Sequence, residues 1–520
     1  MLDWFILPIP LAPILAAALL GFGIVSGRVQ GEAAERFTAR LATGAAALSF
    51  LLSALAITLR ANGLMSKHIV LGTWLASGDY RVEISFHADG LGLGLSLLFG
   101  LLAWLVARFS VNYMHRETGF HRFFLVLALF AGAMQILVLA GNAPLAFAGW
   151  ELAGVCSYLL IAYAYDRPTA AGNATRAFVT NRVGDAGFVL GIYCAYAWTG
   201  GVEWPQVLEQ GAQLDATRAG VLAACFLLAA AAKSAQVPFS PWLARAMEGP
   251  TPSSAIFYGA VMVHAGVYLV LRLEPVFEQA PPVMALMAAM GFATAVYGFV
   301  CGLVQTDVKS ALIFSAMGQV GLMFLECGLG LWSLAAGHLA AHAVVRGYQF
   351  LTAPSLMHRV AGMPTRPPPA WIARRRWLYL AALRRFWLEE MVDLFTVKQA
   401  RGYAADLERF DGRVVDPLMG LSAPAMRGLA SLAEWEERKL GASYDANGGT
   451  PHLGGLLGMV LHGVAASLHW FEERLVLAGV GRGLIGYGRR LGTRLNHIEA
   501  GLRRPRYPTL LVLIVLLACL

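Results

Sequence analysis

Glu151 in the string Gly149-Trp150-Glu151-Leu152, Arg182 with Asp185, and Lys233 just before Pro238 all lie in otherwise apolar stretches. An unpaired charge at the centre of a bilayer costs at least about 2.5–3.5 kcal/mol, so each is a functional-site candidate that needs a partner. Desolvation weakens an ammonium's hold on its proton and a neighbouring carboxylate strengthens it. A lysine and acids on adjacent helices can therefore act as a proton switch, against the simpler reading of a structural Lys233–Glu151 ion pair. His338, His342 and Arg346 recur every fourth residue and share one helix face. His264 and Lys309 lie on the two preceding helices or their ends. Two histidines at this spacing followed by an arginine describe a wet polar axis. Lys309 is weaker, because Asp307-Val308-Lys309 also reads as a helix cap.

The elements that must position these groups are membrane spans. The chain has 520 residues, 58% hydrophobic and 14% charged, with mean hydropathy +0.59, too little charge for a soluble protein of this size. Windows of about 20 apolar residues fall near 5–25, 40–61, 90–109, 122–141, 144–164, 177–199, 218–248 (interrupted), 251–272, 282–304, 309–329 and 331–353. The expected fold is an all-α polytopic membrane protein of about 11 to 13 spans, one of them broken, plus cytoplasmic amphipathic helices. Pro238 lacks a backbone donor, so Lys233-Ser234-Ala235-Gln236-Val237-Pro238 should interrupt its helix. Such breaks are tolerated at membrane depth where they line a cavity. The first apolar run has no basic n-region and reads as a retained span. Alternating residues near 70–88 predict a short hairpin on the outer face.

Arg28, Arg36 and Arg40, then Arg108, His115 and Arg116, then Arg167 and Arg176 occupy alternate loops, while Glu203, Glu209 and Asp215 or Glu274 and Glu278 occupy the others. The positive-inside rule then places the N-terminus outside, in a multi-pass protein of the bacterial inner membrane. The expected organisation is a bundle over 1–354, a cytoplasmic or interfacial helical region over 355–508, and a membrane-inserting segment over 509–520. That last segment covers about 18 Å as a helix, short of the roughly 30 Å hydrocarbon core. The net charge of +8 follows from this topology and from anionic lipid, and no nucleic-acid partner is expected.

Six cysteines, Cys156, Cys194, Cys225, Cys301, Cys327 and Cys519, form no C-x-x-C pair, so neither a disulfide framework nor a zinc site is indicated. No haem, flavin, iron–sulfur or nucleotide motif is present. No cofactor, metal ligand or catalytic centre is expected in the chain itself.

Several strings follow in order: Trp150-Glu151-Leu152 with Cys156-Ser157-Tyr158-Leu159-Leu160, Arg182-Val183-Gly184-Asp185, Lys233 to Pro238, Gly249-Pro250-Thr251-Pro252, Gln305-Thr306-Asp307-Val308-Lys309, and His338 with His342. The series resembles the antiporter-like subunit of respiratory complex I (chain L, or subunit 5) and its relatives in cation/proton antiporters. It covers roughly the first 350 residues, with a weaker likeness around 386–420 and 487–520. The resemblance implies that Glu151 and Lys233 are the acid and lysine pair, that Asp185 serves that site, and that His338 and His342 link two half-channels. Together with the charge positions read above, this gives an expected proton-transfer set of Glu151, Asp185, Lys233, His264, Lys309, His338 and His342, with an electrostatic role for Arg182 and Arg346.

Three departures bear on that transfer. Tyr258 stands where the family has a histidine, and a phenol of ordinary pKa about 10 is a poor relay. Arg346 stands where a second lysine is expected, and a guanidinium does not release its proton. The sequence also leaves the apolar pattern by about residue 354, which cuts the second half-channel short. Pro417, Pro424, Gly448, Gly449 and Pro451 break the region where a complex I subunit has a long lateral helix. A similar, shorter relative is the membrane subunit of inorganic-carbon accumulation complexes, which implies a large zinc-containing cytoplasmic partner. That reading is set against a complex I subunit among membrane-arm partners, a stand-alone antiporter, and an assembly subunit that conducts nothing.

Overall fold

The computed structural model describes residues 2–78, 80–359 and 367–415. It divides into two units, Met1–Lys398 and Gln399–Leu520. The expected elements beyond 415, including the segment 509–520, lie outside the described residues.

The bundle comprises α1 (Pro8–Val25), α2 (Gly31–Ala61), α3 (Gly90–Tyr113), α4 (Phe120–Leu139), α5 (Ala143–Ile161), α6 (Pro168–Thr199), α7 (Ala216–Lys233), the irregular α8 (Thr251–Arg272), α9 (Pro281–Gly302), α10 (Val308–Gly328) and α11 (Trp332–Arg359). Helix starts follow local chemistry. Asp89, Asn142, Asp215 and Asp307 each accept a hydrogen bond from a backbone N–H in the first turn of α3, α5, α7 and α10, and α6 begins at Pro168 and stops at Gly200, whose φ is +75°.

Nine helices among the described residues are long and apolar enough to cross a bilayer. A helix stands at each of the eleven expected places, but α6 and α11 are not among those nine. Their hydropathy is lowered by Arg176, Arg182 and Asp185 in one and by His338, His342 and Arg346 in the other. The polar groups that mark the site thus dilute the span signal of the helices that carry them.

Large apolar side chains on the outside of α1 (Leu15, Leu19, Phe22), α2 (Leu48, Leu51) and α9 (Phe292, Phe299) are exposed, as a lipid-facing surface requires. In contrast, α8 is buried throughout its most apolar window and forms the centre. Close approach depends on small residues: a Cβ on Gly266 would lie 2.3 Å from the Ala230 carbonyl oxygen, and one on Gly298 would lie 2.6 Å from that of Phe314.

The hairpin near 70–88 is present as β1 (His68–Ser77) and β2 (Tyr80–His87), antiparallel, with His68 opposite His87. It follows α2 and precedes α3, and Ile69, Val82 and Phe86 are its buried apolar side chains. Asp89 at the start of α3 pairs with Arg272 at the end of α8, its Oδ1 accepting from Nη2 at 3.0 Å. Burial pushes the Asp89 carboxyl up, but the Arg272 guanidinium and the Gly92 N–H outweigh it and hold it below the usual carboxylate value.

At the other end, the main helical path does not stop at 354: α11 continues through Pro354 to Arg359. Short helices Ala370–Ala373 and Arg376–Leu383, then α12 (Leu388–Phe395), pack on the bundle. Ile372 and Ala382 share a small core with Val300 and Val304 of the α9 end. Arg176 of α6 pairs with Asp393 (2.6 Å) and Glu389 (3.2 Å), and Glu389 also pairs with Arg245 (2.8 Å). Of the second unit, the described part runs to Val415 and is helical.

Candidate functional site

The interrupted helix is the hinge of the site. α7 ends at Lys233, and the chain resumes a helix only at Pro241–Arg245. The break therefore begins directly after the lysine and spans Pro238. Its loosened carbonyls are largely occupied: Trp242 Nε1 donates to the Ala232 oxygen at 2.9 Å, and the Gln236 N–H to that of Ala231 at 2.8 Å. Val237 N–H donates to Thr294 Oγ1 of α9 at 2.9 Å, and Ser234 Oγ to the Val263 oxygen of α8 at 2.7 Å. Protein groups thus satisfy these backbone groups of the break.

Lys233 is 1% exposed. Its ammonium donates to the Trp150 carbonyl oxygen at 3.0 Å and lies 5.0 Å from the Trp150 ring centre. The simpler reading, a structural ion pair with Glu151, is not what the geometry shows, since no carboxylate lies within 4 Å of Lys233 among the described residues. Glu151 instead pairs with Arg182, which also contacts Asp185 at 2.8 Å. The reason is geometric: Arg182 on α6 reaches the Glu151 carboxylate on α5 first, while Lys233 emerges at the helix end facing the Trp150 backbone. Trp150 joins the two halves, because its Nε1 donates to Asp185 Oδ1 at 2.7 Å.

Two acids and two bases make this cluster neutral when all four are ionised, so an added proton leaves it with a net charge in a low-dielectric setting. Gly154 leaves the space between the bases open, for a Cβ there would lie 3.1 Å from Lys233 Nζ and 3.7 Å from Arg182 Nη2. A small cavity bordered by Gly154, Ser157, Asn181 and Arg182 adjoins it. Asn181 Oδ1 and Arg182 Nε, from residues that border it, and Glu151 Oε1 in the adjoining cluster are buried with no hydrogen-bond partner among protein atoms, and a bound water would satisfy such groups.

The second group begins one residue after the Val263 contact. His264 Nε2 and His342 Nδ1 are 2.8 Å apart, and His264 is fully buried. A π-helical turn over Ala255–Ala260 and a 3-10 turn over Met262–His264 set this direction within α8. His338, one turn before His342, lies between Glu326 Oε1 at 2.9 Å from Nδ1 and Gln319 Oε1 at 2.9 Å from Nε2. The His338 and His342 ring centres are 6.3 Å apart.

Arg346 is held by Ser315 and by Gln349 (2.7 Å) and faces no acid within 4 Å among the described residues. Tyr258 donates to the Ala246 oxygen at 2.8 Å, which ties α8 to the segment after the break. Lys309 is not brought to either cluster: it follows Asp307, which caps α10 through the Ser310 N–H at 2.8 Å.

Sequence reasoning missed Glu326 and Gln319. Glu326 carried a usable signal, a carboxylate inside the apolar run of α10, whereas Gln319 carried none. It also missed the convergence of His68, Glu83 and Glu203, from three separate elements, whose ligand atoms lie within 4.8 Å of one another.

Against this geometry stand the comparisons with known proteins. A family described as "NADH:quinone oxidoreductase/Mrp antiporter, TM" matches residues 140–366, and one described as "NADH-Ubiquinone oxidoreductase (complex I), chain 5 N-terminus" matches residues 74–124. The chain is 39% identical over 67% of its length to NAD(P)H-quinone oxidoreductase subunit 5 of Nephroselmis olivacea, covering 55% of that protein. It is 38% identical over 56% of its length to NADH-quinone oxidoreductase subunit L of Campylobacter jejuni, covering 48% of that protein. It thus spans about half the length of these curated relatives.

Among solved structures, the Mrp complex from a Dietzia species aligns with TM-score 0.60 and 22% identity over 98% of this chain and 62% of that one. An archaeal membrane-bound sulfane sulfur reductase aligns with TM-score 0.58 and 20% identity over 67% and 71%. At such identities these two establish the fold. Taken with the matched segments, which contain Glu151, Lys233 and His342, they lead to one conclusion: the chain belongs to the family of antiporter-like membrane subunits shared by NADH:quinone oxidoreductases and Mrp antiporters.

Proposed function

We propose that the chain conducts protons through the membrane as one subunit of a larger complex of the quinone oxidoreductase type. The observation that carries this reading is the union of two clusters at the helix break, Glu151–Arg182–Asp185 with the buried Lys233 on one side and the buried His264–His342 pair on the other, joined by Ser234 on Val263. Arg182 acts as the electrostatic control. While it holds Glu151, the lysine faces only a carbonyl dipole; withdrawal of the guanidinium exposes the carboxylate to Lys233 through the polar cavity. Lys233 then passes its proton, by way of water at the break, toward His264, His342 and His338, with Glu326 as acceptor at the far end. Arg346 contributes a fixed positive field.

The test is proton uptake into inverted membrane vesicles containing the assembled complex. Glu151→Gln and Lys233→Ala are each expected to lower the rate by about a hundredfold, the low side of what removal of a positioned proton-transfer group costs. Full uptake in both variants would identify an assembly subunit that conducts nothing.

The names of the relatives favour quinone oxidoreductase partners over the inorganic-carbon partner expected from the apolar pattern of the bundle and the helical region after it. The helices packed on the end carrying Arg176 and Arg245 offer a docking face for a cytoplasmic subunit in either case. Gentle solubilisation and pull-down separates the two: a flavin and iron–sulfur arm accompanies the first, and a soluble zinc protein the second.

A further inference from the structure

We propose that His68, Glu83 and Glu203 form a binding site for a divalent transition-metal cation of the zinc type at the hairpin end of the bundle. The three side chains come from β1, β2 and the segment after α6, and their ligand atoms lie within 4.8 Å of one another. Tetrahedral zinc with bonds of about 2.0–2.1 Å places its ligand atoms about 3.3 Å apart. His68 Nε2 and Glu203 Oε2 are 3.4 Å apart, too far for a hydrogen bond and matched to one such edge.

Neither ring nitrogen of His68 makes a hydrogen bond among the described residues. No lysine or arginine lies within 4 Å of Glu83 or Glu203 there either, so the two carboxylates face each other beside an imidazole with no resident cation. A doubly charged ion neutralises both. The imidazole selects against calcium and magnesium, which prefer oxygen-only cages. Water completes the coordination.

The surroundings are already ordered. Ser85 Oγ donates to Glu203 Oε2 at 2.5 Å and Asn142 Nδ2 to Glu203 Oε1 at 2.8 Å, the outer-shell support that metal-binding carboxylates require. Asn142 also donates to the Glu83 carbonyl oxygen at 2.7 Å and caps α5 through the Leu145 N–H at 2.8 Å. The site therefore clamps the hairpin to the start of α5, about 14 Å along that helix from Glu151. All three side chains are partly exposed, which leaves an entry path.

The experiment uses the untagged full chain in detergent, stripped of metal and titrated with Zn²⁺. One tight site per chain is expected, together with a rise in thermal midpoint on zinc addition. Glu83→Gln is the decisive variant, because the Glu83 side chain makes no hydrogen bond or ion pair among the described residues and its loss leaves the metal-free fold intact. It should weaken zinc binding at least about tenfold, and His68→Ala should do the same. Equal zinc affinity in the wild type and both variants, or displacement of zinc by equimolar Ca²⁺, overturns the proposal. Neither result bears on proton conduction.

Discussion

Glu326 is the residue whose role is most open to direct test. It fixes the ring of His338 at 2.9 Å, a charge-assisted contact of about 1.5–3 kcal/mol. Glu326→Gln keeps the shape and removes the charge, so proton uptake in vesicles should fall by roughly tenfold, the equivalent of about 1.4 kcal/mol. Complex assembly should be unaffected, and an unchanged uptake rate would place His338 outside the path. The Asp89–Arg272 pair has a different character. The Arg272 side chain is 2% exposed, and breaking a buried pair costs about 3–5 kcal/mol because one charge is stranded. Asp89→Asn should therefore lower the thermal midpoint in detergent without altering uptake by the molecules that remain folded. The Asp89 carboxyl lies below its usual value when folded. Its contribution is complete above the unfolded value of about 3.9 and is lost as pH falls through the lower folded value.

Among the elements, the interface of α9 and α10 is set by small residues rather than by side-chain interdigitation. A Cβ on Gly291 would meet the Leu325 nitrogen at 2.4 Å, and one on Gly298 would meet the Phe314 oxygen at 2.6 Å, both rigid backbone atoms. Gly298→Val should separate these helices at a cost of about 1–3 kcal/mol, read as a fall in thermal midpoint. It also displaces Thr294, which accepts from Val237 in the break, so uptake should fall with stability. The broken helix itself was legible in the sequence, because Pro238 cannot donate and Lys233 precedes it. Where the break starts was not legible, for it depends on Ser234 and Val237 finding partners on other helices.

For the whole molecule, the segment 370–398 belongs with the bundle rather than apart from it. Its hold is an acid–base network, Glu389 and Asp393 against Arg176, Arg245 and Arg385, over the small apolar core of Ile372, Ala382, Val300 and Val304. Glu389→Ala leaves three arginines without their shared acid. Limited trypsin treatment should then cut at Arg374, Arg375 and Arg376 several-fold faster, in line with a local opening made easier by about 1 kcal/mol. Unchanged cleavage would mean that the apolar contact alone holds the segment.

The sequence by itself determined the class of the protein and the identity of most candidate groups. Charges are costly in lipid, so Glu151, Arg182, Asp185, Lys233, His264, His338 and His342 stand out from an apolar background wherever the helices lie. The helix starts at Asp89, Asn142, Asp215 and Asp307 rest on chemistry equally local in the chain, a side chain that satisfies its own first turn. Only the tertiary structure decided which group faces which. The partner of Glu151 is Arg182 and not Lys233, His264 meets His342, Glu326 meets His338, and three ligand atoms converge from the hairpin and a distant loop. Helical periodicity defines the face a residue occupies but not the rotation and depth at which helices pack, and on those two variables every one of these pairings depends.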